Sequence, residues 1–173
     1  MLLLQQAGLK FSDVNIVNLP TSDHQTALAT GNVDAIATWQ PFVATIELSQ
    51  AGRLLADSKN VIQTVGVYLA RNEFGQQAPA LVERFLKVHQ KAADYLKNNP
   101  DEAVAIIAKE SKIPADAIAK SLKTIDWNLR ITDEDITTLS QAKAYLKDTN
   151  VLKNDFAIQE LIDQTYLTNI GVK

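Results

Sequence analysis

A chain of 173 residues with 46% hydrophobic content can bury a core and suits one domain or two small lobes. Its net charge of −3, with lysine and arginine scattered rather than striped, argues against nucleic acid as a partner. The absence of cysteine excludes disulfides, thiolate metal sites and cysteine catalysis, two histidines are a thin supply for metal or acid–base chemistry, and no apolar run approaches the roughly 18 residues of a membrane span.

Leu2 to Ala7 reads as a helix with Gly8 as its left-handed stop. The opening Met1-Leu2-Leu3-Leu4 is too short for a signal peptide and lacks a basic start. Val14 to Leu19 reads as a strand, Thr21 to Thr30 as a helix closed by Gly31, and Ala35 to Thr38 as a second, wholly apolar strand. Pro41 to Gln50 reads as a helix with proline in its first turn, stopped near Gly52, and Arg53 to Ala56 as a third strand. Strands recurring with a helix between each pair are the pattern of parallel βαβ units. Ser58 to Asn60 is expected as a connector, and Gln63 to Ala70 as a further strand in which Gly66 marks a bend or a close approach.

Past Phe74 the pattern is helical throughout. Leu81, Phe85, Val88, Ala92 and Leu96 are the expected inward stripe of a helix from Pro79 to Lys97. Asn99-Pro100-Asp101-Glu102 reads as a cap and restart, with Asn99 as N-cap and Glu102 capping back, followed by Ala103 to Glu110. Pro114 opens a helix to Lys123, and Thr132 caps another to Asp148 with Ile136, Leu139 and Leu146 inward. A last helix is expected from Asp155 to Leu167, with Trp127 anchoring a loop between helices. The predicted class is α/β: a parallel βαβ lobe followed by a helical C-terminal segment.

The stretch Leu19–Phe42 concentrates the candidate site. It brings two helix N-termini, Trp39 and Gln40 to one sheet edge, a place suited to small polar ligands. Trp39 can serve as an apolar wall or cation–π platform, and Gln40 can both donate and accept. Thr21 and Ser22 offer hydroxyls at a helix start, where backbone N–H groups favour an anion; Asp23 opposes that charge and is expected to cap its own helix. Phe42 lines the cleft or packs in the core. Tyr68 and Arg71 flank the crossing strand, with Arg71 expected at the surface. His24 is expected as a surface or capping residue and His89 as exposed.

Ala7-Gly8-Leu9-Lys10, Ser12-Asp13-Val14, Asn18-Leu19-Pro20, Ala27-Leu28-Ala29 with Gly31, Val33-Asp34-Ala35 and Trp39-Gln40-Pro41-Phe42 together resemble one family. It is the periplasmic solute-binding proteins of ABC importers for nitrate, aliphatic sulfonates, taurine and related compounds. The likeness continues through Gly52-Arg53-Leu54-Leu55-Ala56-Asp57, Tyr68-Leu69-Ala70-Arg71 and Asn98-Asn99-Pro100-Asp101-Glu102-Ala103. The resemblance implies a partial type II periplasmic-binding-protein fold. Residues 1–58 would be the second, ligand-binding lobe lacking its first strand, 59–74 the crossing strand or hinge, and 75–173 the helices that pack on the first lobe. It also implies a C-terminal portion of a longer protein, periplasmic or lipid-anchored outside the cytoplasm. Its partners would be a small-molecule ligand and a membrane permease, with no cofactor, metal or catalysis.

Gln40 stands where many relatives carry an acidic residue, which leaves the charge of the ligand open. Two other readings stand beside this one. The chain could be a thiamine-precursor (pyrimidine) pathway enzyme of the same fold, or a non-binding remnant that self-associates through exposed strand edges, with Gln63 to Ala70 pairing between copies.

Overall fold

The computed structural model describes residues 2–58 and 61–172. Nine α-helices appear among them: α1 (Leu2–Gln6), α2 (His24–Ala29), α3 (Phe42–Leu48), α4 (Asn72–Gln77), α5 (Pro79–Asn98), α6 (Pro100–Ser111), α7 (Ala115–Leu122), α8 (Asp133–Asp148) and α9 (Thr165–Asn169). Single 3₁₀ turns cover Phe11–Asp13, Thr21–Asp23 and Ile158–Leu161. The chain forms two compact units, residues 1–57 with 95–126 and residues 58–94 with 127–173. The expected helical segment 75–173 is therefore shared between them, because residues 95–126 pack with the N-terminal part.

In the first unit, α3 packs on both α2 and α7, and α7 packs on α6. The contacts are built on small side chains: Ala27, Ala44, Ala103 and Ala117 are buried beside Ile46 and Ile118. Alanine at a helix contact lets the two axes approach closely. Burying each isoleucine contributes about 1.5–3 kcal/mol. A surface ion pair of 2.6 Å joins Lys120 of α7 to Glu47 of α3. Gly8 and Gly31 each hold φ of 72°, the left-handed conformation expected of helix stops.

In the second unit, α8 begins with a reciprocal cap. Asp135 N–H donates to Thr132 Oγ1 at 3.2 Å, and Thr132 N–H donates to Asp135 Oδ2 at 2.8 Å. The turn at Ile158–Leu161 packs on α8. Lys143 of α8 donates to the Phe156 carbonyl at 2.5 Å, and Lys143 and Lys147 both pair with Asp155. Gly75 of α4 sits against Tyr166 so closely that a Cβ there would lie 2.7 Å from its hydroxyl.

Several expectations are corrected. No strand occurs among the described residues: 14–19, 35–38, 53–56 and 63–70 carry neither helix nor ladder. A strand exists only through backbone pairing with a neighbour, and these segments find none; Ile16, Val17, Leu55, Val67, Tyr68 and Leu69 stay exposed. The parallel sheet is accordingly absent among these residues, and so is the sheet edge on which self-association was expected. Lys59 and Asn60 of the expected connector lie outside the described residues. A Cβ at Gly66 would meet nothing within 4 Å, so no close approach is made there.

On α5 the buried residue is Leu86, with Val82, Ala93 and the expected Leu96 half-buried, whereas Leu81, Phe85, Val88 and Ala92 are exposed. Two adjacent stripes share the helical period, and packing selects the second. Leu146 on α8 is likewise exposed. Asn99 caps nothing forward: its Nδ2 donates back to the Tyr95 carbonyl at 3.2 Å, closing α5. Glu102 instead bonds the Tyr95 phenol and, through that hydrogen bond, holds it above its ordinary pKa. The expected helix from Asp155 to Leu167 is broken into a 3₁₀ turn and α9. Asp163 Oδ1 takes the Thr165 N–H at 2.9 Å, a local bond that competes with helix continuation.

Candidate functional site

The candidate site belongs to the first unit and is built where the start of α2 meets the segment leading into α3. His24 opens α2, with Ala27 and Leu28 three and four residues on, the spacing of one helix face. That face turns inward, and His24 is only 8% exposed. Its Nε2 lies 3.3 Å from the Leu19 carbonyl and its Nδ1 lies 3.1 Å from Thr38 Oγ1. A carbonyl only accepts, so Nε2 carries a proton and donates to Leu19; in the neutral ring Nδ1 then accepts from the Thr38 hydroxyl. This corrects the expectation of a surface or capping histidine. The missed signal was the His24, Ala27, Leu28 spacing, which puts the ring on the apolar face.

Trp39 follows Thr38 directly and is 59% exposed. Its ring meets two aromatic rings edge-on: His24 at 6.2 Å and 80°, and Phe42 at 6.3 Å and 89°. Both distances fall in the favourable range for edge-to-face pairs. Phe42 is half-buried as the first residue of α3. The structure thus brings Trp39 and Phe42 together as one aromatic surface, backed by a histidine.

Gln40 is half-buried and faces inward. Its Oε1 accepts from the Ala44 N–H at 3.3 Å and from Ser121 Oγ of α7 at 3.0 Å. Val43 N–H donates to the Trp39 carbonyl and Thr45 N–H to the Pro41 carbonyl. The N–H groups of Val43, Ala44 and Thr45 at the start of α3 are therefore already satisfied.

Thr21 is half-buried, while Ser22 and Asp23 are exposed. Ser22 Oγ donates to Asp23 Oδ1 at 3.0 Å. The N–H groups of Asp23 and His24 bond the carbonyls of Pro20 and Thr21. Asp23 makes no side-chain cap to α2: its φ of −97° and ψ of −9° are helical, whereas a capping residue takes extended angles.

The second unit holds the other histidine. His89 Nε2 donates to the Trp127 carbonyl at 2.9 Å, and its Nδ1 lies 2.6 Å from the Tyr68 hydroxyl. The Tyr68 ring stands edge-on to Phe85 at 4.8 Å. His89 is thus tied rather than free, and Trp127 anchors its loop through its main chain. Arg71 is exposed at the start of α4, as expected. An open concavity of about 580 Å³ in this unit is lined by Ile136, Gln159, Asp163, Gln164 and Thr165 among others, and contains none of the expected site residues. Among the described residues no cluster of three acidic or histidine side chains could hold a metal, and no helix is long and apolar enough to cross a membrane.

Residues 2–103 match the family described as NMT1/THI5 like. A protein of Escherichia coli named "Putative aliphatic sulfonates-binding protein" is 33% identical over 119 residues, covering 69% of this chain and 37% of the relative. A protein of the same name from Bacillus subtilis is 26% identical over 157 residues, covering 90% of this chain and 47% of the relative. The crystal structure of the periplasmic aliphatic sulphonate binding protein SsuA from Escherichia coli superimposes with a TM-score of 0.79 at 26% identity, covering 93% of this chain and 53% of that one. This chain thus spans about half, or less, of the length of these relatives.

Proposed function

This chain belongs to the NMT1/THI5-like family, and on that premise we propose that it serves in capturing a small organic anion, of the aliphatic sulfonate class, for an ABC importer outside the cytoplasm. The observation that carries this reading is the backbone likeness to a sulphonate-binding protein over 93% of the chain. No covalent chemistry is part of it. An acid–base role for His24 is disfavoured because both ring nitrogens are committed to Leu19 and Thr38.

In this reading residues 1–58 carry the ligand-binding lobe of a type II periplasmic-binding-protein fold, 59–74 the crossing segment, and 75–173 the helices that complete it. The largely apolar composition of segments 14–19, 35–38 and 53–56 supports parallel pairing of the lobe in its functional form. Trp39 and Phe42 receive the hydrocarbon part of the ligand. The Gln40 amide NH₂ and the Thr21 hydroxyl receive its acidic group, and Ser22 joins them by turning its hydroxyl away from Asp23. Asp23 adds a negative charge nearby, which suits a ligand that carries an amine as well as an acid. The membrane permease is the partner this reading requires.

The test is calorimetric titration of the chain with taurine, butanesulfonate and nitrate, beside thermal unfolding. Binding of at least one sulfonate is expected, with stabilisation of about 2.7 kcal/mol at a hundredfold excess over its dissociation constant. No heat and no shift with either sulfonate at millimolar concentration would overturn the proposal.

A further inference from the structure

We propose that His24 is a positioning residue for Trp39: it holds the indole as a fixed wall of the site through Thr38 and through its own ring edge. The inference deepens the reading of Trp39 as a ligand contact and rests on it.

Trp39 stands on the segment between α2 and α3. It is exposed over more than half its surface, yet its ring plane is defined by two perpendicular neighbours. Phe42 is only three residues away and belongs to the same turn of chain. His24 is different, because it reaches Trp39 from α2. The imidazole is itself immobilised at both ends, by Leu19 on one side and by Thr38 on the other. Thr38 is the residue that carries Trp39 along the backbone. One ring therefore restrains the indole twice, once by edge contact and once through the preceding residue. A rotamer already ordered in the free protein costs less to immobilise when a ligand binds, so a fixed indole favours affinity.

The measurement uses the full chain with Trp127→Phe, which leaves Trp39 as the only tryptophan of the two. His24→Phe keeps a ring edge but removes both hydrogen bonds. Thr38→Val removes the hydroxyl at nearly constant shape, and Thr38→Ser restores it. In the folded baseline, confirmed by circular dichroism, His24→Phe and Thr38→Val should lower the fluorescence anisotropy of Trp39 and raise its quenching by acrylamide. Thr38→Ser should match the parent.

Nitrogen-15 shifts of the imidazole should report the proton on Nε2. For butanesulfonate, each disruptive variant should weaken binding about fivefold, the equivalent of one neutral hydrogen bond. Unchanged anisotropy and quenching in both variants, or a proton on Nδ1 alone, would overturn the inference. A parent chain that binds no sulfonate but shows these fluorescence changes would overturn the proposed function while upholding the positioning role.

Discussion

Gln40 and Ser121 stand 81 residues apart in the chain and meet side chain to side chain at 3.0 Å. The same Gln40 oxygen accepts the Ala44 N–H, so one amide both caps α3 and ties it to α7. Ser121 is buried, and its hydroxyl also lies 2.6 Å from the Ala117 carbonyl within its own helix. Ser121→Ala should therefore cost about 1 kcal/mol in urea unfolding, the usual value of a neutral hydrogen bond. Gln40→Ala should cost more, because Ala44 N–H loses its acceptor as well. Equal losses in the two variants would show that the cap contributes nothing.

Gly52 is packed against Leu28 and Ile46. A Cβ built there would lie 2.4 Å from Leu28 Cδ2 and 3.1 Å from Ile46 Cγ2. The Leu28 methyl is the mobile end of its side chain and must shift, while the buried Ile46 keeps the other side tight. Gly52→Ala should destabilise the first unit by about 1–3 kcal/mol. Combining it with Leu28→Ala should give a loss smaller than the sum by more than about 0.5 kcal/mol, read from a double-mutant cycle.

The start of α8 is a three-residue network. Asp135 is buried, accepts from the Thr132 N–H and hydroxyl, and takes the Gln63 amide at 3.0 Å. Thr132→Ala should cost about 1 kcal/mol, as other capping residues do. Asp135→Ala should cost roughly 2–3 kcal/mol, because it strands the Gln63 amide at a partly buried place. Chemical unfolding followed by circular dichroism would order the two variants.

Asp155 sets a dependence on acid. Hydrogen bonds from Lys143, then Lys147, hold its carboxyl well below the usual carboxylate range. A lowered folded-state pKa means that the unfolded chain takes up the proton first. The stabilisation is then complete above the unfolded value of about 4 and is lost as pH falls below it towards the folded value. Asp155→Asn should remove a small, salt-sensitive increment of stability at pH 7, and the difference from the parent should shrink below about pH 4. A difference independent of pH would refute the ion pair as its source.

The helices were legible wherever local signals agreed. Gly8, Gly31 and the Thr132–Asp135 cap each stand where expected, because each depends on residues within one turn. The aromatic pair of Trp39 and Phe42 was also legible, since three residues of spacing bring them to one turn of chain. His24 was not, because its partners Leu19 and Thr38 lie 5 and 14 residues away in sequence. Nor was the inward role of Gln40, whose partner is on a helix from the far part of the chain. Leu81, Phe85 and Val88 show the limit of periodicity, which marks apolar stripes without saying which of them is covered.

By itself the sequence determined the family and the helical punctuation, since composition, glycine stops and side-chain type are local properties. Only the tertiary structure decided that His24 stands behind Trp39, that Gln40 is tied to Ser121, that α5 turns Leu86 inward and that the segments read as strands go unpaired here. Each of these depends on a partner from another part of the chain, and the free energy of such a contact is set by whether that partner arrives, not by the residue that awaits it.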